Sequence, residues 1–211
     1  MARFVNDQFV SFGIPHVEIQ PVDVLLSNPV KSSLRMFDAS TGGVLFTASL
    51  AEDVLSLDTT SDTWYRNHTY NGYSPSGDVT APLVYANYGR PEDFDALSAA
   101  HVSVEGAIVI TRYGGLSRCF RGLKAMNAQE RGAVGVIIYS DPEQDGSRRG
   151  PTYPDGGWRP SSSVQRGSVQ FNSLCAGDPS RAASDLSVEE ICGYMKEELV
   201  PSIPVMPISV S

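Results

Sequence analysis

The feature that most constrains the fold is a pair of short apolar runs separated by one helical stretch. Residues 107–111 and 134–139 have the length and the β-branched content of buried strands. Between them, residues 120–131 show helical periodicity and end at Gly132, a residue type that favours helix C-termini. This order of strand, helix and strand predicts two parallel strands joined by a crossover helix.

Shorter patterns predict further elements on both sides of this unit. Two strand-like runs, 34–37 and 44–47, flank a glycine-bearing loop and predict a β-hairpin. The other predictions are strands at 16–27 and 83–88, helices at 91–100 and 187–199, long loops at 53–77 and 144–164, and an extended exit segment at 201–205. Because only one clear crossover unit follows the hairpin, the predicted class is α+β, a mixed sheet or small β-sandwich flanked by about three to four helices.

Charge and hydropathy exclude two classes of partner. The chain has 211 residues and a formal net charge of -8, so binding to nucleic acid through a basic surface is not expected. No apolar run approaches the roughly 18 residues that span a bilayer, and the N-terminus has no apolar signal core. We therefore expect either a cytosolic chain or a piece of a protein whose targeting segment lies elsewhere.

The sequence contains no recognisable catalytic constellation. Its three histidines lie far apart, and none has a second ligand at the spacing of a zinc site. The motifs of α/β-hydrolases, P-loops and dinucleotide-binding domains are absent. Three cysteines, Cys119, Cys175 and Cys192, include no C-x-x-C pair. One disulfide can form among them, and the sequence leaves open which pair forms it.

Two arginines are candidates for ligand binding. Arg121 lies at the predicted start of the crossover helix, where free N–H groups, the positive end of the helix dipole and a guanidinium fork suit a carboxylate. The alternative for Arg121 is a solvated arginine at a helix start. Arg166 lies at the entry to an extended segment, and its alternative is a surface salt bridge worth about 0–1 kcal/mol.

A series of segments resembles the protease-associated (apical) domain of the glutamate carboxypeptidase II and transferrin receptor family. The segments include Phe-Arg-Gly at 120–122, Tyr-Pro-Asp-Gly at 153–156 and Val-Gln-Arg-Gly at 164–167, together with Gly-Asp-Pro at 177–179, which is nonspecific when taken alone. Further similar segments, in the same order, are 85–94, 106–114, 127–129, 132–142 and 201–205. The resemblance covers 81–208 strongly, extends more weakly back to the lead-in at 23–27, and is closer to the carboxypeptidases than to the receptor.

This resemblance implies a domain organisation and a role. Residues 1–27 would be a lead-in strand from a peptidase domain, 28–208 the protease-associated domain and 209–211 a tail. In the family this domain lies over the active site of a zinc-dependent peptidase domain, whose zinc ligands and catalytic glutamate follow later in the chain. The resemblance therefore implies a chain without peptidase activity, with no cofactor of its own and with zinc in the parent protein.

The family also implies a location and partners. Its members are typically type II membrane glycoproteins and homodimers, which places the parent in an extracellular, vacuolar or secretory lumen and agrees with the sequon at Asn67. The expected partners are the parent peptidase domain, a second copy of the parent, and a peptide or acidic small molecule as substrate.

Three substrate-binding residues follow from the resemblance. Phe120 and Arg121 match the Phe-Arg pair that lines the glutamate pocket of the carboxypeptidases. Ser168 stands where those enzymes place an asparagine that contacts substrate, and it offers only one hydroxyl. The turn after Gly-Asp-Pro, which helps to hold calcium in the carboxypeptidases, is altered here at 180–184 and includes Arg181. We do not expect calcium at this turn.

Two other functions remain open at this point. The chain could be a receptor or sorting module that binds a protein partner in a parent without hydrolytic activity. It could also be a structural domain that mainly supports dimerisation. Sequence beyond Ser211 would separate the enzyme from the receptor, because an intact set of His, Asp and Glu zinc ligands favours the enzyme.

Overall fold

The predicted parallel strands form the centre of a four-stranded sheet. The computed structural model describes residues 1–115, 119–179 and 187–211. The sheet contains β3 (Leu83–Tyr85), β4 (Ile108–Arg112), β5 (Gly135–Tyr139) and β6 (Val205–Ile208), all parallel and adjacent in chain order. A separate antiparallel hairpin contains β1 (Arg35–Phe37) and β2 (Val44–Thr47). The combination of an antiparallel and a parallel sheet with helices confirms the α+β class.

Two crossover helices cover the parallel sheet. Helix α2 (Pro91–Ala99) connects β3 to β4, and α3 (Arg121–Gln129) connects β4 to β5. Strand β5 is buried along most of its length because strands pair with it on both sides. The main core lies between the sheet, these helices and the segment around 169–171. It contains Ala86, Phe94, Val104, Val109, Tyr113, Ala125, Ala128, Ala133, Val136, Ile138, Val169, Phe171 and Val205.

The N-terminal region differs from the prediction. Helix α1 (Ala2–Ser11), which the sequence analysis did not predict, contains no buried residue. Residues 16–27, predicted as a strand, form no strand, and none of the described segments pairs with them in a hydrogen-bonded ladder. Individual contacts hold the end of this segment instead. The hydroxyl of Tyr73 donates to the Leu25 carbonyl at 2.8 Å, and the Leu25 amide donates to Asp178 at 2.9 Å.

The C-terminal region also differs in detail. The predicted helix at 187–199 is present as two pieces, α5 (Val188–Cys192) and a 3-10 helix (Lys196–Leu199). Gly193 ends α5 in a left-handed conformation with φ of 73°. A capping box begins α5, since Ser187 and Glu190 each accept a hydrogen bond from the other's backbone N–H. The predicted exit segment leads into β6, which pairs with β5.

The structure settles the pairing of the cysteines. Cys175 and Cys192 form a disulfide, while Cys119 is free and buried. The bridge joins α5 to the segment that follows the buried Phe171, and a second small core of Cys175, Val188 and Leu199 surrounds it. Helix α4 (Pro142–Asp145) completes the set of five α-helices in the described residues. None of those helices has both the length and the apolar character that a membrane-spanning segment requires.

Candidate functional site

The candidate site lies where β4 ends and α3 begins. Phe120 is the N-cap residue of α3, and Arg121 is its first residue, as the sequence predicts. The carboxyl end of a parallel strand followed by a helix N-terminus places free backbone N–H groups and the positive end of the helix dipole at the same edge of the sheet. Phe120 is 66% exposed, so it is not a core residue of the helix.

A fully buried lysine anchors this helix start. The Lys124 ammonium donates to the Tyr88 carbonyl at 2.6 Å and lies 3.3 Å from the Cys119 sulfur, whose thiol donates to the same carbonyl at 2.9 Å. Burial lowers the pKa of Lys124, although its interactions with Cys119 oppose that shift. These contacts tie α3 to the turn after β3. The sequence gives no signal for them, because the acceptor is a backbone carbonyl from a distant segment.

Arg121 is half-buried and has no acidic partner among the residues that the structure describes. Its Nε atom is buried without a hydrogen-bond partner, and no carboxylate within 1–115, 119–179 or 187–211 forms an ion pair with it. Its guanidinium carbon lies 5.6 Å from the centre of the Tyr113 ring, a cation–π distance. The positive charge of Arg121 is therefore available to an anion from outside the described chain.

Tyr113 provides a fixed wall for this site. Its side chain is buried, and its hydroxyl donates to the Gln165 carbonyl at 2.7 Å. Burial raises the pKa of Tyr113, and the neighbouring Asn71 and Arg121 offset part of that rise. The phenol therefore remains neutral near pH 7 and contributes no negative charge that would compete for Arg121. Tyr113 is not among the site residues predicted from the sequence, where it occurs only within the segment 106–114.

Ser168 lies beside the site because the residue before it, Gly167, packs against Arg121. Ser168 itself forms an isolated parallel bridge with Gly72. The Ser168 hydroxyl accepts a hydrogen bond from the Gln170 amide at 3.0 Å. The structure thus brings the segment containing Ser168 to the start of α3. A hydroxyl already used as an acceptor retains its own proton to donate to a ligand.

Arg166 holds distant segments of the chain together. Its guanidinium pairs with Glu52 at 2.6 Å and donates to the carbonyls of His68 at 2.9 Å and Tyr65 at 2.8 Å. The two charged side chains are about one-fifth exposed, at 23% and 20%. The surface-salt-bridge interpretation is therefore too weak, because Arg166 fastens the 52–68 loop to the segment that leads to Gly167. It is not available to bind a ligand.

The structure gives information about metal binding only for the residues that it describes. The described residues contain no group of three or more His, Cys, Asp and Glu side chains that could hold a metal ion. The altered turn at 180–184, with Arg181, lies outside the described residues. The structure therefore gives no account of that turn.

Comparison with known proteins provides independent information. Residues 79–170 match the family described as the PA domain. A probable glutamate carboxypeptidase of Arthroderma benhamiae is 44% identical over 85% of this chain and 24% of its own length. A glutamate carboxypeptidase 2 homolog of Caenorhabditis briggsae is 35% identical over 99% of this chain and 28% of its own length.

A third similar protein is named for sorting. Vacuolar protein sorting-associated protein 70 of Saccharomyces cerevisiae is 30% identical over 96% of this chain and 25% of its own length. The chain thus spans only about a quarter of the length of these relatives.

Proposed function

Because residues 79–170 form a PA domain in a chain similar to glutamate carboxypeptidases, we propose that it is a lid and substrate-recognition module of a zinc-dependent peptidase. The module does not itself catalyse hydrolysis. It lies over the active site of the parent protein and binds a carboxylate of the substrate. The remaining three-quarters or so of the related proteins leave room for a peptidase domain that supplies zinc.

The observation that supports carboxylate binding is the guanidinium at the start of α3, which forms no ion pair with any described residue. A carboxylate placed there would accept hydrogen bonds from Arg121 and lie near the positive end of the helix dipole. Phe120, exposed next to it, would cover the aliphatic part of the ligand. Ser168 would donate its hydroxyl proton to a ligand oxygen.

Replacement of Arg121 tests this function. We expect the 211-residue chain to bind L-glutamate weakly, and Arg121→Ala to reduce the affinity by at least about tenfold, because the charge-assisted hydrogen bonds are lost. Arg121→Lys should recover only part of the affinity, since an ammonium cannot form the bidentate fork. Titration followed by amide chemical shifts in NMR measures the dissociation constants.

A matched control removes the same charge from the other end of the helix. Arg131 lies two residues beyond the last residue of α3 and pairs loosely with Asp95 at 3.8 Å. Arg131→Ala should leave the glutamate affinity within about twofold of the original. An equal loss in both variants would show that glutamate responds to net charge and not to the Arg121 site.

The absence of catalysis is a separate part of the proposal. Hydrolysis of an acylated glutamate dipeptide by the purified chain, with or without added zinc, would refute it. Such turnover would place the metal ligands and the water-activating group within these 211 residues.

The similarity to the vacuolar sorting protein favours a second candidate, a protein-binding or dimerisation module in a parent without peptidase activity. The two candidates differ in the sequence that follows Ser211 in the parent. A complete set of His, Asp and Glu zinc ligands there supports the lid, and their loss supports the sorting module.

The proposal also includes a compartment and partners. The Cys175–Cys192 disulfide supports an oxidising location, so we place the parent in an extracellular, vacuolar or secretory lumen. The parent's peptidase domain is the proposed partner of the exposed apolar residues near the N-terminus, and a second copy of the parent is the other proposed partner. Calcium is not part of this proposal.

A further inference from the structure

The Arg121 guanidinium lies directly against the backbone of Gly167. A Cβ atom added to Gly167 would be 2.4 Å from the guanidinium carbon and 2.7 Å from both Nε and Nη2. Real Cβ atoms do not approach other heavy atoms so closely, so any side chain at position 167 would require the guanidinium to move. The guanidinium can occupy its observed place only because residue 167 has no side chain.

Gly167 is itself fixed by contacts that do not involve Arg121. Its carbonyl accepts a hydrogen bond from the Gly72 amide at 2.9 Å and another from the Asn71 side chain at 3.0 Å. Asn71 is only 1% exposed, so its amide is held within the core. Residues 71–72 therefore fix the position of the Gly167 backbone beside Arg121.

Packing holds the guanidinium in place. Tyr113 is fixed by its hydrogen bond to Gln165, and its ring faces the Arg121 guanidinium. The buried Nε of Arg121 has no hydrogen-bond partner among the described residues. Its orientation thus depends on the two surfaces that it contacts, the Tyr113 ring and the Gly167 backbone.

We infer that Gly167 is a positioning residue for the carboxylate-binding arginine. Its missing side chain leaves the space in which the Arg121 guanidinium lies against Tyr113 before any ligand arrives. Preorganisation of this kind strengthens binding, because the ordering of a flexible arginine is completed during folding. The inference rests on the proposed function for its importance in binding, but the position of the guanidinium can be measured without a ligand.

The test compares Gly167→Ala with Gly72→Ala in the 211-residue chain. A Cβ at position 72 would meet no atom closer than 3.7 Å, an ordinary contact, so Gly72→Ala is a matched control on the neighbouring segment. The readouts are the NMR signal of the Arg121 Nε–H group, identified by its loss in Arg121→Ala, and the dissociation constant of L-glutamate. Circular dichroism confirms that each variant is folded.

We expect Gly167→Ala to shift the Arg121 Nε–H signal and to speed its exchange with solvent by about tenfold or more, because the buried group is displaced. The glutamate affinity should fall by about tenfold, while Gly72→Ala changes neither readout. An unmoved signal in Gly167→Ala, an equal change in Gly72→Ala, or a moved signal with unchanged glutamate affinity would overturn the inference. If the signal moves but the original chain binds no glutamate, Gly167 still positions the arginine and the proposed function fails.

Discussion

Arg166 joins three segments of the chain through one side chain. Replacing it with alanine leaves the partly buried Glu52 without its ion pair and removes donors from the carbonyls of His68 and Tyr65. We expect Arg166→Ala to lower the free energy of unfolding by about 2–3 kcal/mol, because a half-buried charge and two carbonyls lose their partners. Urea denaturation followed by circular dichroism measures the change.

The control for this prediction is Arg131→Ala. It removes an ion pair with Asp95, which is 76% exposed, together with a hydrogen bond to the Asn127 carbonyl and a cation–π contact with Phe94. An exposed pair of this kind should contribute less than about 1 kcal/mol. A loss in Arg166→Ala no greater than in Arg131→Ala would show that the 52–68 loop does not depend on the arginine.

The positions and contacts of Arg121 and Arg166 could be predicted from the sequence only in part. Placing Arg121 at a helix start requires only local periodicity, and the structure agrees. The partners of Arg166 lie 98 and 101 residues away in sequence, as backbone carbonyls. No residue type at 65 or 68 reveals that those carbonyls face an arginine. The contact between Arg121 and Gly167 could not be predicted either, because it depends on the absence of a side chain at a residue far away in sequence.

At the scale of elements, the hairpin turn between β1 and β2 contains a carboxylate that stabilises it. One oxygen of Asp38 accepts hydrogen bonds from the hydroxyls and the backbone amides of Ser40 and Thr41. The Ser40 hydroxyl and the Thr41 amide are the main causes that lower the pKa of Asp38 from 3.8 to about 2. The charged form is therefore favoured in the folded turn.

The sign of the pH dependence follows from this lowered pKa. An ordinary aspartate in the unfolded chain ionises near 3.8, so the contribution of Asp38 is present above that pH and is lost as the pH falls toward about 2. We expect an NMR titration of the Asp38 carboxyl carbon to give a midpoint near 2. In Ser40→Ala/Thr41→Val the two hydroxyl donors are gone, and the midpoint should rise toward the ordinary value.

Thr47→Val, at the end of β2 and without a contact to Asp38, is the matched control and should not change the midpoint. A midpoint that stays near 2 in the double variant would assign the shift to the backbone amides alone.

The elements that the sequence predicted well are those with a strong local pattern. Strand β5 is a continuous apolar run, and α5 begins with a complete capping box. The failures have no such pattern. Helix α1 has no side-chain cap and no acidic residue in its first turn, while residues 16–27 alternate like a strand but pair with no described strand. An alternating pattern shows that a segment is able to form a β-strand, but the strand forms only where another strand pairs with it.

At the scale of the whole molecule, the N-terminal helix presents an unusual amount of apolar surface. Phe4 is 62% exposed and Phe9 is 44% exposed, and no residue of α1 is buried. We expect the chain to enhance the fluorescence of the apolar dye ANS under native conditions, and Phe4→Ser/Phe9→Ser to reduce that signal by about half, because this surface binds the dye.

Asp7→Asn changes the charge of the same helix without removing apolar area, so it should leave dye binding unchanged. Equal fluorescence in the original chain and the double variant would show that α1 is not the main apolar surface that binds the dye.

The topology of the whole chain was predictable only in part. One crossover unit was clear, because both of its strands are long apolar runs. The outer strands were not recognised as members of one parallel sheet: β3 has only three residues, and β6 follows a proline-rich segment that reads as an irregular exit. The position of β3 in the sheet depends on its pairing with β4, and that of β6 on its pairing with β5. Both pairings involve segments that are distant in sequence.

These outer strands also affect how copies of the molecule meet. Unpaired sheet edges can recruit strands from other chains and so begin aggregation. Strand β3 offers only three residues for such pairing, and in β6 Pro207 has no amide hydrogen to donate. Both borders of the parallel sheet are therefore poor templates for the addition of a strand from another copy of the chain.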